Sequence, residues 1–291
     1  MQIALVLGGE TGLLGQALVQ ELQFRNLYVH TLGRNNGNIF DINFLSQKLQ
    51  EISPDFVFNT IALTQVDDAE DKEEECIKVN AEFPKNLAKL LLGSHTQLIH
   101  YSTDFVFDGE KKSPYTENDT PNPQSVYGKT KCMGEKNVLE ILPRQSLVLR
   151  TAWLFGLGRK NFVATILRFA KEKGSLNVVS DQKGSPTSTQ DLARWSALLA
   201  EKKKTGLYHA VNSGEASWYD LAKNAVEMSS LQCAVSPIAS NAWPQKAKRP
   251  SYSVLNNEKL SRDLGHTPRD WHEALAEYIE NRQRKEKHVQ N

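Results

Sequence analysis

Three glycines spaced three residues apart constrain the fold of this chain more than any other feature. Gly9, Gly12 and Gly15 follow a short apolar run, residues 2–7, and lead into an amphipathic run, residues 16–25. Strand, glycine turn and helix in this order suit the pyrophosphate of a dinucleotide, because the backbone approaches closely and the helix N-terminus offers free N–H groups. The spacing differs from Gly-x-Gly-x-x-Gly, and glycine triplets also occur by chance in turns. The predicted cofactor-binding residues here are Gly9, Thr11, Gly12, Leu13, Leu14 and Gly15.

The residues after the second predicted strand, residues 27–32, bear on the choice of cofactor. A carboxylate there would bind the adenosine ribose hydroxyls of NAD, whereas Gly33-Arg34 offers a guanidinium that suits a 2′-phosphate. The sequence therefore favours NADPH with NADH as the alternative, although an Arg on a surface loop would look the same. Asp41 and Ile42, also predicted to bind cofactor, precede a helix predicted over residues 44–51, so Asp41 either contacts adenine or caps that helix.

Small residues follow the third predicted strand, residues 56–59. They leave room for a ribose and a nicotinamide at the carboxyl edge of a parallel sheet. The predicted cofactor contacts in this segment are Ala62 and Thr64, and Val66 is a predicted substrate contact.

Asn80 is predicted to begin a helix over residues 81–92. The fourth predicted strand, residues 97–101, follows it and delivers Ser102, Thr103 and Asp104 to the same edge. The hydroxyl of Thr103 could hydrogen-bond a substrate carbonyl, and Asp104 could hold a substrate hydroxyl. Polar residues that merely form a turn are an equally common explanation. Ser102 is predicted to contact the cofactor.

Tyr127 and Lys131 lie four residues apart in a segment that Ser125 is suited to cap as a helix, so they share one face. A phenol with a pKa of about 10 is a poor acid–base catalyst at neutral pH unless a nearby ammonium lowers that pKa. Lowering it by about 3 units needs roughly 4 kcal/mol, which is reasonable only in a closed site. On most helices such a pair is simply solvated.

Composition excludes several classes of function. The 291 residues carry 35 basic and 34 acidic side chains, so no excess charge recruits nucleic acid or a membrane surface. The first apolar run is too short for a signal peptide, which predicts a cytoplasmic protein. Three widely separated cysteines suggest neither a disulfide framework nor a thiolate metal site.

Several segments together resemble the extended short-chain dehydrogenase/reductases, and among them the dTDP-4-dehydrorhamnose reductases. The similarity spans most of the chain, and its specificity comes from the number and order of modest motifs. The matching segments are Gly9-x-x-Gly12-x-x-Gly15, Asn59-x-x-Ala62-x-Thr64-x-Val66-Asp67, residues 100–107, residues 126–131, Arg150-Thr151-Ala152-Trp153, Asn161-Phe162, Asp181-Gln182-x-Gly184-x-Pro186-Thr187, residues 206–209 and Arg249-Pro250-x-x-Ser253-x-Leu255.

The resemblance implies a reduction in which NAD(P)H delivers hydride to C4 of a nucleotide-linked keto sugar. Tyr127 would protonate the 4-keto oxygen, Lys131 would tune Tyr127 and bind the nicotinamide ribose, and Thr103 would polarise the carbonyl. Asp104 and Trp153 would hold the sugar, and Arg249 would bind the diphosphate. From the residues alone, Trp153 could equally be a core side chain, and Arg249 a solvated charge.

Single residues bear on two properties found in related enzymes, dehydratase activity and a magnesium site. Dehydratases of the superfamily carry a Glu after the Thr-Asp pair, but this chain has Phe105, which argues against dehydration. Some reductases hold magnesium at a dimer contact with acidic residues; Ala17 and Gln190 stand there, so no metal is predicted. A homodimer stays possible.

The predicted fold is α/β, a Rossmann-type doubly wound parallel sheet with a smaller carboxyl-terminal lobe. Residues 1–153 would mainly bind NAD(P) and residues 154–291 mainly the substrate, with segments interleaved. The predicted activity is reduction of dTDP-4-dehydro-L-rhamnose. The alternatives are a related 4-keto-6-deoxyhexose as substrate, or a non-catalytic nucleotide-binding subunit of the same fold.

Overall fold

The computed structural model describes residues 1–290, with side chains through residue 287, and a six-stranded parallel sheet lies at its centre. The strands of this part of the chain are β1 (Ile3–Leu7), β2 (Tyr28–Leu32), β3 (Phe56–Asn59), β4 (Gln97–Thr103), β5 (Ser146–Thr151), β6 (Leu154–Phe155), β7 (Ser175–Val179), β8 (Lys183–Gly184), β9 (Thr187–Ser188), β10 (Gly206–His209), β11 (Ala216–Ser217) and β12 (Ala234–Ile238).

Helices connect these strands. They are α1 (Leu13–Phe24), α2 (Ile42–Ile52), α3 (Val66–Ala69), α4 (Glu73–Ile77), α5 (Phe83–Leu91), α6 (Val126–Ile141), α7 (Phe162–Glu172), α8 (Thr189–Glu201), α9 (Trp218–Met228), α10 (Glu258–Leu264) and α11 (Trp271–Gln290). A π-helical stretch, Lys78–Glu82, joins α4 to α5.

The central sheet has the strand order β2-β1-β3-β4-β5-β10, and every pairing in it is parallel. From β1 the chain moves outward to β2, and from β3 onward it builds the sheet in the opposite direction. The order therefore reverses between β1 and β3. In an open α/β sheet, ligands bind outside the carboxyl ends of the strands at this switch point. The predicted doubly wound parallel sheet is confirmed.

Helices cover both faces of the sheet, so a strand such as β1 is apolar throughout. Ala4 and Val6 pack in the cluster that contains Leu18 of α1, whereas Leu5 and Leu7 belong to the cluster on the opposite face. Successive side chains of a strand point to opposite faces, which explains the alternation. Burying each leucine contributes roughly 2 kcal/mol. This two-sided core holds the carboxyl ends of the strands in register.

A third apolar cluster, separate from the two on the faces of the sheet, lies among α7, α9 and α11, around Phe155, Leu221 and Trp271. Three two-stranded pairs, β6–β9, β7–β12 and β8–β11, accompany it. The second half of the chain also contributes to the first cluster: β10 completes the central sheet, and Trp195 of α8 packs in the core on one face of it. The division after residue 153 stays a prediction.

Candidate active site

The glycine loop connects β1 to α1 at the switch point. The N–H of Gly8 donates to Leu32 O at 2.7 Å, which joins the loop to the end of β2. A Cβ on Gly15 would lie 2.3 Å from Gly8 O, so no other residue allows this close packing. No side chain caps α1 at Gly12, and its first turn contains no acidic residue. The free N–H groups of Leu13 and Leu14 and the positive end of the helix dipole therefore fit an anion such as a pyrophosphate.

The residues after β2, predicted to bind the adenosine end of the cofactor, lie beside the glycine loop. Gly33 is buried and Arg34 is exposed, as a residue that reaches a 2′-phosphate would be. Asp41 caps α2, because its Oδ1 accepts the N–H groups of Asn43 at 2.8 Å and Phe44 at 3.2 Å. This cap starts α2 at the exposed Ile42, two residues earlier than predicted. Contacts of Asp41 and Ile42 with adenine stay predictions.

Asn80 organises the segment after β3, a role beyond its predicted place at the start of a helix. It is fully buried in the π-helical stretch, where its Oδ1 accepts from Leu63 N at 2.9 Å and its Nδ2 donates to Leu63 O at 3.1 Å. The same Nδ2 also donates to Thr130 Oγ1 at 3.2 Å. One amide therefore connects the segment that carries Ala62 and Thr64 to the helix that carries Tyr127. The helix predicted over residues 81–92 begins with this π-helical distortion, which the sequence pattern did not indicate.

Helix α6 places Tyr127 and Lys131 on one face, as predicted. Ser125 caps it by accepting the N–H of Gly128 at 3.1 Å. Lys131 is buried, and its Nζ donates to Tyr101 O in β4 at 2.5 Å. Burial lowers the pKa of Lys131 to about 8, although nearby Glu135 raises it. Lys131 is therefore a buried cation bound to the strand that ends in Thr103.

The phenol of Tyr127 does not have the lowered pKa that the sequence predicted. Burial raises the pKa of Tyr127 to about 12; a hydrogen bond with the Thr103 side chain lowers it in part, and the charge of Asp104 raises it further. Lys131 is not among the groups that shift this pKa, and its ammonium donates to the carbonyl of Tyr101. The expectation was wrong because it assigned Lys131 to the phenol alone and neglected desolvation. The ring of Tyr127 is partly exposed and packs edge-on against Phe105, with centroids 5.6 Å apart.

Thr103 and Asp104 stand at the end of β4 and form a buried polar group with Ser253. Ser253 Oγ donates to Asp104 Oδ2 at 2.6 Å, and Thr103 Oγ1 donates to Asp104 Oδ1 at 3.0 Å. Burial raises the pKa of Asp104 to about 6, although both hydrogen bonds lower it. Ser253 belongs to the matching segment that begins at Arg249, but the sequence predicted no role for it. Only the fold brings it next to a residue 149 positions earlier.

Two hydroxyls at this edge have no partner. Within residues 1–287, Ser102 Oγ and Thr151 Oγ1 are buried without a hydrogen-bond acceptor or donor. They lie near the ends of the adjacent strands β4 and β5, where Thr103 pairs with Thr151 in register. Burying a hydroxyl without a partner costs roughly 1–3 kcal/mol. The contact of Ser102 with the cofactor stays a prediction.

Trp153 forms one wall beyond the end of β5. Its ring stacks on Trp218 with centroids 3.6 Å apart and planes 6° from parallel. A Cβ on Gly184 would lie 2.5 Å from the ring, so the glycine makes room for it. Trp153 also has a φ of 48°, a left-handed conformation that costs a non-glycine residue energy. The ring is partly exposed, and both its packing role and its predicted contact with a sugar are compatible with this position.

Arg249 is bound to Asp67, at the start of the short helix α3 that Val66 opens. Its Nη2 donates to Asp67 Oδ2 at 2.6 Å, while Asp67 Oδ1 accepts the N–H groups of Lys246 at 3.1 Å and Ala247 at 3.0 Å. Burial raises the pKa of Asp67, but these hydrogen bonds and the guanidinium lower it by more, so the net shift is downward. Arg249 is therefore an oriented and partly buried cation. Its contact with a diphosphate stays a prediction.

Comparison with known proteins identifies the family. A family model described as the RmlD substrate binding domain matches residues 1–284. The chain belongs to this family. The match confirms the family that the sequence predicted, whereas the catalytic roles of Thr103, Tyr127 and Lys131 stay predictions.

Members of the RmlD family resemble the chain over nearly its whole length. A solved dTDP-4-dehydrorhamnose reductase from Clostridium acetobutylicum has a TM-score of 0.93 at 39% identity, covering 97% of this chain and 100% of that one. One from Bacillus anthracis, solved in complex with NADP, has a TM-score of 0.92 at 31% identity with the same coverage. A probable dTDP-4,6-dihydroxy-2-methyloxan-3-one 4-ketoreductase from Streptomyces antibioticus is 40% identical over 273 residues, 92% of each chain.

No helix within residues 1–290 is long and apolar enough to cross a membrane. No group of three or more His, Cys, Asp or Glu side chains among the described residues is arranged to hold a metal ion. Ala17 and Gln190 line one small surface groove together with Gln20 and Lys285.

Proposed function

We propose that this chain reduces the 4-keto group of dTDP-4-dehydro-L-rhamnose to give dTDP-L-rhamnose, with NADPH as cofactor and NADH as an alternative. The arrangement of Tyr127 beside Thr103, with buried Lys131 behind them, carries the proposal. These three groups stand at the same sheet edge as the glycine loop. The names of the relatives from C. acetobutylicum and B. anthracis, and the NADP bound to the latter, support it.

The high pKa of Tyr127 suits the direction of this reaction. Because burial raises that pKa to about 12, the phenol is protonated at neutral pH and is available as the proton donor to a ketone oxygen. A bound reduced nicotinamide supplies the hydride for C4. Thr103 donates its single hydroxyl proton to Asp104 in this structure, and turning that proton toward the ketone oxygen would polarise the carbonyl.

Lys131 contributes charge and orientation. Its contact with Tyr101 O holds the ammonium behind the strand end, from which it would bind the nicotinamide ribose. Glu135 keeps it charged and is itself bound to Arg150 in a buried pair, with Oε1 and Nη2 2.5 Å apart.

The sugar would lie between Asp104 and Trp153. Asp104 shares two hydroxyl donors and is buried, so a sugar hydroxyl would complete its hydrogen bonding. Trp153 is partly exposed as a residue, and its indole ring suits an apolar part of a sugar, including a 6-methyl group. Arg249, oriented by Asp67, would bind the diphosphate with its remaining N–H groups.

The test is a direct assay of the purified chain with NADPH and dTDP-4-dehydro-L-rhamnose, followed by the absorbance of reduced nicotinamide and by NMR of the product. We expect oxidation of NADPH that depends on the keto sugar, and the L-rhamno configuration at C4. Oxidation with only a differently configured dTDP-4-keto-6-deoxyhexose would favour the activity for which the S. antibioticus relative is named. No oxidation with any such sugar, despite nucleotide binding, would favour a non-catalytic subunit.

A further inference from the structure

Glu10, within the glycine loop, reaches across the cleft to the end of β2. Its Oε2 accepts a hydrogen bond from Asn35 Nδ2 at 3.0 Å. A Cβ built on Gly33 would meet a single heavy atom within 4 Å, and that atom is the same Glu10 Oε2, at 4.0 Å. The carboxylate of Glu10 therefore lies 4.0 Å from where the first side-chain atom of a residue at position 33 would be.

That position has a known chemical meaning in a dinucleotide fold. A carboxylate at the end of the second strand accepts hydrogen bonds from the adenosine ribose hydroxyls and repels a 2′-phosphate. Here the strand ends in Gly33, which has no side chain. The carboxylate comes instead from a residue 23 positions earlier in the sequence, on the neighbouring loop.

Local contacts hold Glu10 in this place. Gln16 Nε2 donates to the backbone carbonyl of Glu10 at 3.0 Å, and Gly8 N donates to Leu32 O at 2.7 Å, so the loop and the strand end move together. On the other side, Asn36 Oδ1 accepts the N–H of Gly33 at 2.7 Å. Glu10 itself is half-buried, which strengthens its electrostatic effect relative to a fully solvated carboxylate.

Arg34 carries the opposite charge and directly follows Gly33 in the chain. It is exposed, and within the described residues it forms no ion pair with Glu10 or with any other carboxylate. Its guanidinium can therefore turn toward a 2′-phosphate. A 2′-phosphate bound near Gly33 would therefore meet one group that attracts it, Arg34, and one that repels it, Glu10.

We propose that Glu10 is a determinant of cofactor specificity, accepting the adenosine ribose hydroxyls so that this chain binds NADH about as well as NADPH. The proposal rests on the proposed function, because it assumes a dinucleotide in the cleft. It assigns to a glycine-loop residue the role that a residue after β2 performs in NAD-binding folds. Arg34 alone would give a strong preference for NADPH.

The experiment compares two ligands that differ only in the 2′-phosphate, adenosine 2′,5′-bisphosphate and AMP. Their affinities for the full chain are measured by calorimetry, without keto sugar, for the wild type and for Glu10→Gln. Glutamine retains an acceptor for Asn35 but removes the charge. A matched control, Glu51→Gln, removes an exposed carboxylate from α2, far along the helix from its Asp41 cap.

We expect the wild type to bind the two ligands with similar affinity. Glu10→Gln should shift the ratio roughly tenfold toward the bisphosphate, since one like charge close to the phosphate is removed. Arg34→Gln should shift it in the opposite direction, and Glu51→Gln should leave it unchanged.

A ratio in Glu10→Gln within twofold of the wild-type ratio would overturn the proposal, as would a wild type that strongly prefers the bisphosphate. If neither ligand bound the wild type, both this proposal and the proposed function would fall. If the ratio shifted as expected but no keto sugar were reduced, only the proposed function would fail. Circular dichroism of each variant verifies that it is folded.

Discussion

The two ends of the cleft are built in different ways. The edge proposed to bind the cofactor, named the dinucleotide edge, consists of the glycine loop and the end of β2, and its contacts are mostly backbone hydrogen bonds such as that from Gly8 N to Leu32 O. The edge proposed to bind the sugar, named the substrate edge, consists of Asp104 with Ser253 and Asp67 with Arg249, pairs of side chains 149 and 182 positions apart in sequence. The first edge follows from a local pattern, whereas the second exists only once the carboxyl-terminal residues have folded against the sheet.

Tyr127 lies between the two edges and should separate chemistry from binding at both. We expect Tyr127→Phe to lower kcat by about 10²- to 10⁴-fold, because it removes the proton donor while keeping the ring that packs on Phe105. Single-turnover kinetics would measure the loss in the chemical step. Calorimetric titration with cofactor and with dTDP would measure binding, which should change little. Tyr28→Phe, an exposed position on β2, is the control. Turnover at the wild-type level would show that another group supplies the proton.

Gly15→Ala should damage the dinucleotide edge alone. The new Cβ would lie 2.3 Å from Gly8 O and 2.8 Å from Gly8 C, so the loop backbone must shift. Overpacking of this kind costs about 1–3 kcal/mol, which predicts a cofactor affinity roughly 10- to 100-fold weaker. The affinity for dTDP should change little. Gly174→Ala, where a Cβ meets no atom within 4 Å, is the matched control. Equal losses for cofactor and dTDP would mean that the two edges are not independent.

Asp104→Asn should change how the free energy of unfolding depends on pH, because it removes the buried carboxyl at the substrate edge. Because the pKa of Asp104 is raised from 3.8 to about 6, its protonated form stabilises the fold below about pH 4, and this contribution is lost as the pH rises through 6. The shift corresponds to roughly 3 kcal/mol. The unfolding free energy of the wild type, relative to Asp104→Asn, should therefore fall by about that amount between pH 4 and pH 7.

Denaturant unfolding at several pH values would measure this difference. Asp68→Asn, at an exposed position in α3, controls for the loss of a carboxylate. A difference between wild type and Asp104→Asn that stays constant over the pH range would contradict the raised pKa.

Arg249→Gln should have the smallest effect, because the side chain is partly exposed and charge pairs there contribute about 1 kcal/mol or less. We expect the KM for the nucleotide sugar to rise a few-fold, with no change in cofactor affinity. Lys248→Gln removes a neighbouring exposed charge and should change neither quantity. Steady-state kinetics with each substrate varied would measure both. If the two variants behaved alike, Arg249 would be a solvated charge and not a diphosphate contact.

Sequence patterns predicted the features that depend on residues close together in the chain. Ser125 as the cap of α6 and the placement of Tyr127 and Lys131 on one face were correct. The pKa of Tyr127 was predicted in the wrong direction, since helical spacing shows which side chains are neighbours but not how deeply a phenol is buried. The π-helical turn around Asn80 carried no recognisable pattern, because its buried amide bonds to Leu63 and Thr130, which lie on other segments.

The sequence by itself determined the order of strand, glycine turn and helix, and with it the doubly wound sheet and the family. The tertiary structure decided what surrounds each functional group: Ser253 beside Asp104, Asp67 beside Arg249, and the carboxylate of Glu10 beside Gly33. The physical reason is the range of the interactions. Backbone conformation and hydrophobic periodicity act between near neighbours along the chain, whereas desolvation and side-chain hydrogen bonds depend on whatever the folded chain brings within a few ångströms.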